Sequence, residues 1–331
     1  MFIVETYPLA VAFCIITMLC WGSWANTQKL AAASWRFELF YWDYVLGIVL
    51  FALLAALTLG SFGAEGRSFL PDLRQAGSGA AGSALLGGVL FNAANILLGA
   101  AIAVAGMSVA FPVGIGLALV IGVGVNYLDA PLGSRGLLGV GVLLIAAAIL
   151  LNASAYRRTS ARSGGVSRQG LLLSVMAGLL MGFFYKYVAQ AMFPDFRQPL
   201  DGKLSPYTAV VLFSAGILLS NFLFNTLLMR RPVTGAPLRY ADYAAGSFRT
   251  HLVGVLGGAI WCAGMLCSVL ASGEAGPAIS YGLGQGATVV AALWGMLIWK
   301  EFDGAPKEVP WLLGLMLLLY AAGLALLVAA R

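Results

Sequence analysis

Ten apolar stretches constrain this sequence more than any other feature. A helix needs about 20 predominantly apolar residues to cross the hydrocarbon core of a bilayer, and each stretch reaches that length. Of the 331 residues, 61% are hydrophobic and only 10% are charged, and the mean hydropathy is +0.92. A soluble globule of this size would need far more polar surface. The pattern therefore predicts an all-α integral membrane protein.

The hydropathy pattern places five spans in each half of the chain. The first half is predicted to contain spans at 7–29, 38–60, 79–104, 107–129 and 134–155. The second half is predicted to contain spans at 169–192, 205–229, 250–272, 275–299 and 308–330. We number them first to tenth in chain order.

Correspondences at fixed offsets indicate that the second half repeats the first. With a shift of 170 residues glycines and aromatics coincide, and other shifts align the first span with the sixth and the fifth with the tenth. The paired positions include Phe91 with Trp261, Gly106 with Gly276, Phe111 with Tyr281, and Gly114 with Gly284. Chance similarity between Gly- and Ala-rich spans is the alternative.

A repeat unit with an odd number of helices must insert its second copy upside down, which is the inverted-repeat design of secondary transporters. We therefore expect a first five-helix repeat at 1–155, a basic connecting loop at 156–168 and a second repeat at 169–331. Two spans contain residues that can bend or unwind a helix, Pro112 in the fourth and Gly282, Gly284 and Gly286 in the ninth. Straight, tightly packed helices are the alternative.

The distribution of basic residues predicts an orientation. Of the 19 Lys and Arg residues, twelve fall in the odd-numbered loops and at the helix ends beside them, six fall on the opposite side, and one is intramembrane. Positive residues are enriched in cytoplasmic loops, so the odd loops are predicted to be cytoplasmic and both termini outside. The net charge of +6 has the same explanation and does not require a nucleic-acid partner.

Several classes of site are disfavoured. The four cysteines fall inside predicted spans, where they behave as small apolar residues rather than as a disulfide framework. One histidine, His251, cannot make a histidine metal site, so no metal is expected. Phosphate-loop, HExxH and nucleophile-triad motifs are missing from the sequence, so it does not predict an enzyme. No cofactor is expected beyond a coupling H+ or Na+.

Ionisable residues inside a bilayer are costly and are functional candidates by default. Asp43, within the second-span string ELFYWDYVLG, is the candidate for binding the coupling ion or a solute hydroxyl; an interfacial anchor is the alternative. Lys186, in the sixth span, is a second candidate charge site. Counting along the helices places it toward the face opposite Asp43, where it could equally extend to the interface.

Neutral polar and aromatic side chains in the spans predict a pocket for an uncharged polar solute. Amide side chains both donate and accept hydrogen bonds, and aromatic faces stack on sugar rings or planar heterocycles. Contacts between helices would explain any one of them equally well. The predicted substrate-binding residues are Trp24, Asn92, Asn95, Trp261, Tyr281 and Gln285.

With ten predicted spans in two five-span halves, the sequence resembles the drug/metabolite transporter superfamily. GAIWCAGMLCSVLASGEAGPAISYGLGQGATVVAALWGMLIWKEFDG is similar to the end of glucose/ribose porter proteins, and CWGSWANTQKL to their first helix. The string FYWDYVLG is similar to ureide permeases, which carry a long central loop where this chain has a short one. The resemblance implies the EamA-type fold and uptake of a sugar or a heterocyclic nitrogen compound.

We therefore expect a cytoplasmic-membrane secondary transporter that takes up a sugar or similar neutral polar solute by ion-coupled alternating access. A ureide or nucleobase permease and a drug or metabolite exporter are the alternatives within transport. Outside secondary transport, the alternatives are a membrane-embedded enzyme and a channel. The expected partners are a small-molecule solute and the lipid bilayer, with no nucleic acid, and a homo-oligomer is left open.

Overall fold

The computed structural model of the protein describes residues 1–31, 35–159 and 168–331. Within these residues it is helical, without strands, and ten helices are long and apolar enough to cross a membrane. The predicted fold class is confirmed, and the predicted boundaries agree with the observed ones to within a few residues.

The first five spans are built as follows. The first consists of α1 (Tyr7–Ser23) and α2 (Ala25–Leu30), and the second is α3 (Phe37–Leu57). A short helix, α4 (Phe69–Gln75), precedes the third span, α5 (Ser78–Ala105). The fourth and fifth spans are α6 (Met107–Asp129) and α7 (Arg135–Thr159).

The sixth and seventh spans are α8 (Arg168–Ala191) and α9 (Pro206–Arg230). The short α10 (Tyr240–Ala244) leads into the eighth span, α11 (Phe248–Ala275). The ninth span comprises α12 (Pro277–Gly284), α13 (Ala287–Leu293) and a π-helical turn, Trp294–Ile298. The tenth is α14 (Glu308–Ala329).

The two helix breaks lie in the first and ninth spans. The ninth span is interrupted at Gln285 and Gly286, within the glycine run where unwinding was predicted. The first span is interrupted at Trp24, which was not predicted. The fourth span runs without a break through Pro112, because proline so near a helix start removes little of the hydrogen-bond ladder.

Close contacts between helices repeat across the two halves. A Cβ atom built on Gly258 would lie 1.8 Å from the carbonyl oxygen of Tyr44, and one built on Gly88 would lie 2.0 Å from that of Phe213. The two glycines are 170 positions apart and the two carbonyls 169. The second span thus packs on the eighth as the seventh packs on the third.

The corners between spans are also related. Gly106 joins the third span to the fourth with φ 77°, and Gly276 joins the eighth to the ninth with φ 79°. Both values lie in the left-handed region that only glycine adopts without strain. The division into repeats at 1–155 and 169–331 stays a prediction. Within the predicted loop 156–168, residues 156–159 and Arg168 are helical, and residues 160–167 lie outside the described part of the chain.

Both termini lie at the same end of the helical bundle, which we call the terminal end. There the Met1 ammonium donates to the Glu65 carbonyl oxygen at 2.5 Å, and Arg197 donates to the Glu5 carbonyl oxygen at 3.2 Å. The Ser134 amide donates to the Ala330 carbonyl oxygen at 2.6 Å.

The opposite end, which we call the basic end, holds the odd-numbered loops. At this end Arg36 donates to the carbonyl oxygens of Ala236 at 2.5 Å and Thr234 at 2.9 Å. These bonds connect the loop after the first span to the loop between the seventh and eighth spans. Spans entering from the terminal end in the first half therefore correspond to spans entering from the basic end in the second.

Candidate functional site

A cavity of about 150 Å³ lies between the two halves, and we call it the central cavity. Its walls come from the first, third and fourth spans of one half and the sixth, eighth and ninth spans of the other. Both interrupted helices contribute to it. Its lining includes the side chains of Trp21, Trp24, Phe91, Asn95, Phe184, Trp261, Gln285 and Thr288.

Aromatic rings from both halves form the apolar part of the wall. The rings of Phe91 and Trp261 are 4.2 Å apart between centroids, and these residues are equivalent under the 170-residue shift. Trp21 stacks on Trp261 at 5.8 Å, and Phe184 packs edge-on against Phe91 at 5.3 Å. Two positions related by that shift thus meet at the wall of the central cavity.

Two amide side chains supply polar groups to the central cavity. Asn95 donates to the Tyr41 hydroxyl at 3.3 Å, which leaves its carbonyl oxygen available. Gln285 lies in the helix break of the ninth span, and its side-chain amide has no hydrogen-bond partner among the described residues. An amide with free donors and acceptors can both donate hydrogen bonds to an uncharged polar solute and accept them from it.

Four of the six predicted substrate-binding residues line the cavity, and the structure brings Trp24, Asn95, Trp261 and Gln285 together. Asn92 lies behind the wall, where it accepts from the Tyr41 hydroxyl at 3.0 Å and donates to Ser220 Oγ at 2.8 Å.

Tyr281 also lies behind the cavity wall. Its hydroxyl donates to the backbone oxygens of Ala118 at 3.1 Å and Met181 at 3.2 Å. Gly122 makes room for its ring, because a Cβ atom there would lie 2.2 Å from the ring edge. Tyr281 therefore joins the fourth, sixth and ninth spans rather than facing the cavity.

Asp43 is buried in a separate polar cluster nearer the basic end, which we call the Asp43 cluster. Its carboxylate accepts from the Tyr243 hydroxyl at 2.6 Å and from Trp35 Nε1 at 3.3 Å, and His251 Nδ1 lies 2.8 Å from the same carboxylate. Burial, and then the neighbouring Asp43 carboxylate, raises the pKa of Tyr243, so this phenol stays protonated and donates.

Sequence reasoning missed the partners of Asp43. His251 is the single histidine of the chain, and it lies at the start of a predicted span. That position was a signal that its imidazole could meet the carboxylate of Asp43 in the second span. Trp35 and Tyr243 lie outside the predicted spans and carried no comparable signal. Gly254 permits the approach, because a Cβ atom there would lie 2.4 Å from that of Asp43.

Lys186 lies at the other end of the bundle from the Asp43 cluster. Its ammonium is 3.5 Å from Asp129 at the end of the fourth span, and Gln190 donates to the same carboxylate at 2.7 Å. The two ionisable side chains singled out from the sequence therefore do not meet, as counting along the helices predicts. No cluster of three or more metal-binding side chains occurs within the described ranges.

Comparison with known proteins gives consistent matches. The family model described as ureide permease matches residues 40–165. Ureide permease 1 of Arabidopsis thaliana is 24% identical over 392 aligned positions, which cover 100% of this chain and 99% of the relative. Ureide permeases 2 and 4 of the same plant are 22% and 24% identical with equal coverage.

Among solved structures, a crystal structure of a protein described without a function has a TM-score of 0.61 at 16% sequence identity, covering 96% of this chain and 95% of its own. That likeness concerns the fold alone. The matches to permeases along the whole chain, together with ten spans around a central cavity, support a multi-pass membrane transporter rather than an enzyme.

Proposed function

We propose that this protein is a secondary transporter of a small, uncharged, ureide-like nitrogen compound, which binds in the central cavity and crosses by alternating access. The observation that carries the proposal is the pair of amide side chains between aromatic walls, Gln285 without a hydrogen-bond partner and Asn95 with its carbonyl oxygen available. A ureide contains planar ureido groups with several amide-type donors and acceptors. It would form hydrogen bonds with the two amide side chains and stack on Trp24.

The sequence similarities favour this solute class over a sugar. Three curated relatives along the full chain are ureide permeases, so the alternative in our sequence analysis fits better than its main expectation. The resemblance to glucose/ribose porters and the wider drug/metabolite superfamily keeps a sugar as the second candidate. A sugar presents hydroxyl groups around its ring edge and an apolar face to aromatic rings, which the same wall would accept.

The size of the cavity argues against export of drugs. Sites for drug-sized ligands have volumes of about 300–1,000 Å³, whereas the central cavity has about 150 Å³. A compact heterocycle suits the smaller volume. Asn92 and Tyr281, which the sequence analysis assigned to the pocket, would then position the wall from behind rather than contact the solute.

We further propose that Asp43 is the site of ion coupling and that the ion is H+ rather than Na+. The groups around its carboxylate are a hydroxyl, an indole nitrogen and an imidazole nitrogen. Hard cations prefer several oxygen ligands, and this set does not provide them. A carboxylate beside an imidazole can instead exchange a proton.

The test of the solute class is uptake into proteoliposomes. Labelled allantoin, uracil and glucose are offered with and without an imposed proton gradient, and again with a sodium gradient. Saturable, proton-driven uptake of allantoin is expected. Uptake confined to glucose would transfer the assignment to the sugar, and flux that does not saturate would indicate a channel.

Asp43→Asn tests the coupling role separately. The amide keeps the shape of the carboxylate but cannot take up a proton. We expect this variant to lose accumulation against a gradient while it retains exchange of labelled for unlabelled solute. Full accumulation by the variant would remove Asp43 from the coupling role and leave the solute assignment untouched.

The remaining assignments are proposals of the same kind. We propose the cytoplasmic membrane as the location, with the basic end in the cytoplasm and both termini outside, on the ground that basic residues are concentrated at that end. We also propose two repeats, 1–155 and 169–331, joined by a short basic loop. The paired glycine contacts between helices support that division.

A further inference from the structure

A second group of polar side chains lies at the basic end, beside the first and ninth spans, and we call it the ionic cluster. It consists of Asn26, Lys29, Tyr156, Trp299 and Glu301. Lys29 forms an ion pair with Glu301, and the Tyr156 hydroxyl donates to the second oxygen of the same carboxylate at 2.8 Å.

Trp299 connects the remaining members of the ionic cluster. Its indole nitrogen donates to Asn26 Oδ1 at 2.6 Å, and the Lys29 ammonium lies 4.8 Å from the centroid of its ring. The cluster therefore links α2, the end of α7 and the segment after the π-helical turn. These three elements belong to the first, fifth and ninth spans.

The ionic cluster borders a second cavity that adjoins the central cavity. A smaller cavity of about 100 Å³ adjoins the cluster and is lined by Lys29, Tyr156, Trp299 and Glu301. It shares four lining residues with the central cavity, all close to the breaks in the first and ninth spans. These are Gly22, Ala25, Thr288 and Ala291.

The backbone around Glu301 is shaped to hold this side chain in place. Lys300 has φ 51° and is the one non-glycine residue of the described chain with a positive φ, a conformation that is costly for a side chain of this kind. Gly295 leaves room for the carboxylate, because a Cβ atom there would lie 2.8 Å from Glu301 Oε2. Strained backbone of this kind persists where the surrounding contacts enforce it.

The inverted repeat places a related pair at the terminal end. An ion pair between the first and ninth spans corresponds, in the other copy, to one between the sixth and fourth spans. The structure has such a pair, with Lys186 3.5 Å from Asp129, and Gln190 donates to the same carboxylate at 2.7 Å. Each end of the molecule thus has one ionic contact between equivalent helices.

We propose that Lys29, Glu301 and Tyr156 form a gate that closes the path from the central cavity to the basic end, and that Asp129 with Lys186 and Gln190 forms its counterpart at the terminal end. This inference rests on the proposed transport function, because a gate matters only if solute passes through the cavity. Both Lys29 and Glu301 are partly exposed to solvent, and exposed ion pairs are weak. Such a contact can break and re-form in every cycle.

The gate is tested by chemical access to the cavity, a measurement that needs no knowledge of the solute. Cys14, Cys20, Cys262 and Cys267 are replaced by alanine, and Ala291→Cys is introduced as the reporter shared by both cavities. A membrane-impermeant thiol reagent is then added from the basic end of reconstituted, oriented protein. The two proposals have separate readouts, since uptake tests the proposed function and thiol labelling tests the gate. Absent uptake with the expected labelling changes would contradict only the proposed function, and normal uptake without those changes would contradict only the gate.

Glu301→Gln keeps the size of the side chain and its acceptor for Tyr156 but removes the ion pair. We expect it to speed labelling of the reporter from the basic end by up to about fivefold, since it removes one exposed charge pair that holds the gate closed. Lys29→Gln should act alike, and serves in its place if the first variant does not fold. The exchanged pair Lys29→Glu with Glu301→Lys should return the rate to within about twofold of the parent.

The counterpart at the terminal end gives an effect of opposite sign. Asp129→Asn is expected to favour opening at the terminal end, so labelling from the basic end should slow. Asp201→Asn is the matched control, because Asp201 also forms an ion pair, in its case with Arg67 at 2.7 Å, away from the proposed gates. Unchanged labelling in both Glu301→Gln and Lys29→Gln, or equal acceleration by Asp129→Asn or Asp201→Asn, would overturn the gate.

Discussion

Individual polar side chains divide into those that face the central cavity and those that bind helices together. Asn92 and Asn95 lie on the same helix one turn apart, yet only Asn95 lines the cavity. Asn92 is fully buried and has a partner for each of its amide atoms. The same residue type therefore has a different role depending on what its neighbours offer.

Gln285 should contribute to binding and little to stability. Gln285→Leu removes the free amide and keeps a side chain of similar size. We expect the KM for the transported solute to rise by about threefold to tenfold, because one hydrogen bond contributes about 0.5–1.5 kcal/mol. The thermal unfolding midpoint should change little. Gln169→Leu, an exposed position at the start of α8, is the matched control. An unchanged KM in Gln285→Leu would exclude a solute contact at this residue.

Asn92 should show the opposite pattern. Asn92→Ala leaves the Tyr41 hydroxyl and Ser220 without their buried partner, which costs about 1–3 kcal/mol. We expect a lower unfolding midpoint in detergent. The KM of the protein that remains folded should change by less than the KM of Gln285→Leu. A stable Asn92→Ala variant with a large KM effect would assign Asn92 to solute contact after all.

Helix pairs in this protein approach closely through glycine, and two similar approaches join one half of the chain to the other. The eighth span meets the second at Gly258, and the third meets the seventh at Gly88. In lipid the hydrophobic effect does not drive helices together, so close packing through small residues has a larger share in their association. These contacts hold the two halves together around the cavity.

Alanine at either contact should destabilise the protein. In Gly258→Ala or Gly88→Ala the added Cβ atom would meet a backbone oxygen at 1.8 or 2.0 Å, and the helices must separate. We expect a loss of about 1–3 kcal/mol, typical of overpacked interiors, seen as a lower unfolding midpoint. Gly139→Ala is the control, because an added Cβ atom there meets nothing within 4 Å. A midpoint equal to that control would contradict the inferred contact.

The molecule as a whole is asymmetric in charge, although the proposed inverted repeat would make its two halves equivalent. Basic residues are concentrated at the end formed by the odd-numbered loops, and both termini lie at the other. The positive-inside preference acts on such loops during insertion. It would orient the two otherwise equivalent halves of the bundle.

Cysteine labelling in intact cells checks this orientation. Ala244→Cys, exposed at the basic end, should be protected from an impermeant reagent, while Asp201→Cys, which is 98% exposed at the terminal end, should react. Both should react once the cells are permeabilised. Labelling of Ala244→Cys alone in intact cells would reverse the proposed orientation.

The spans could be predicted from the sequence because each depends on a local run of about 20 apolar residues, which lipid requires whatever the neighbours are. The relation between the halves also lay in the sequence, since Gly106 and Gly276 occupy equivalent positions and adopt the same positive φ. The break at Gln285 followed from the glycines beside it. The spans and the break each arise from residues close together in the chain, and the correspondence of the halves from comparing two such local patterns.

The tertiary structure decided which polar groups meet. Asp43 and His251 are 208 residues apart, and Lys29 and Glu301 are 272 apart, so neither pairing could be inferred from local sequence. Asn95 was separated from Asn92, and Gln285 from Tyr281, only by the direction in which the packed helices turn them. Hydropathy specifies that a segment lies in the membrane, but the rotation of a helix depends on contacts with its neighbours, and those contacts form the candidate site.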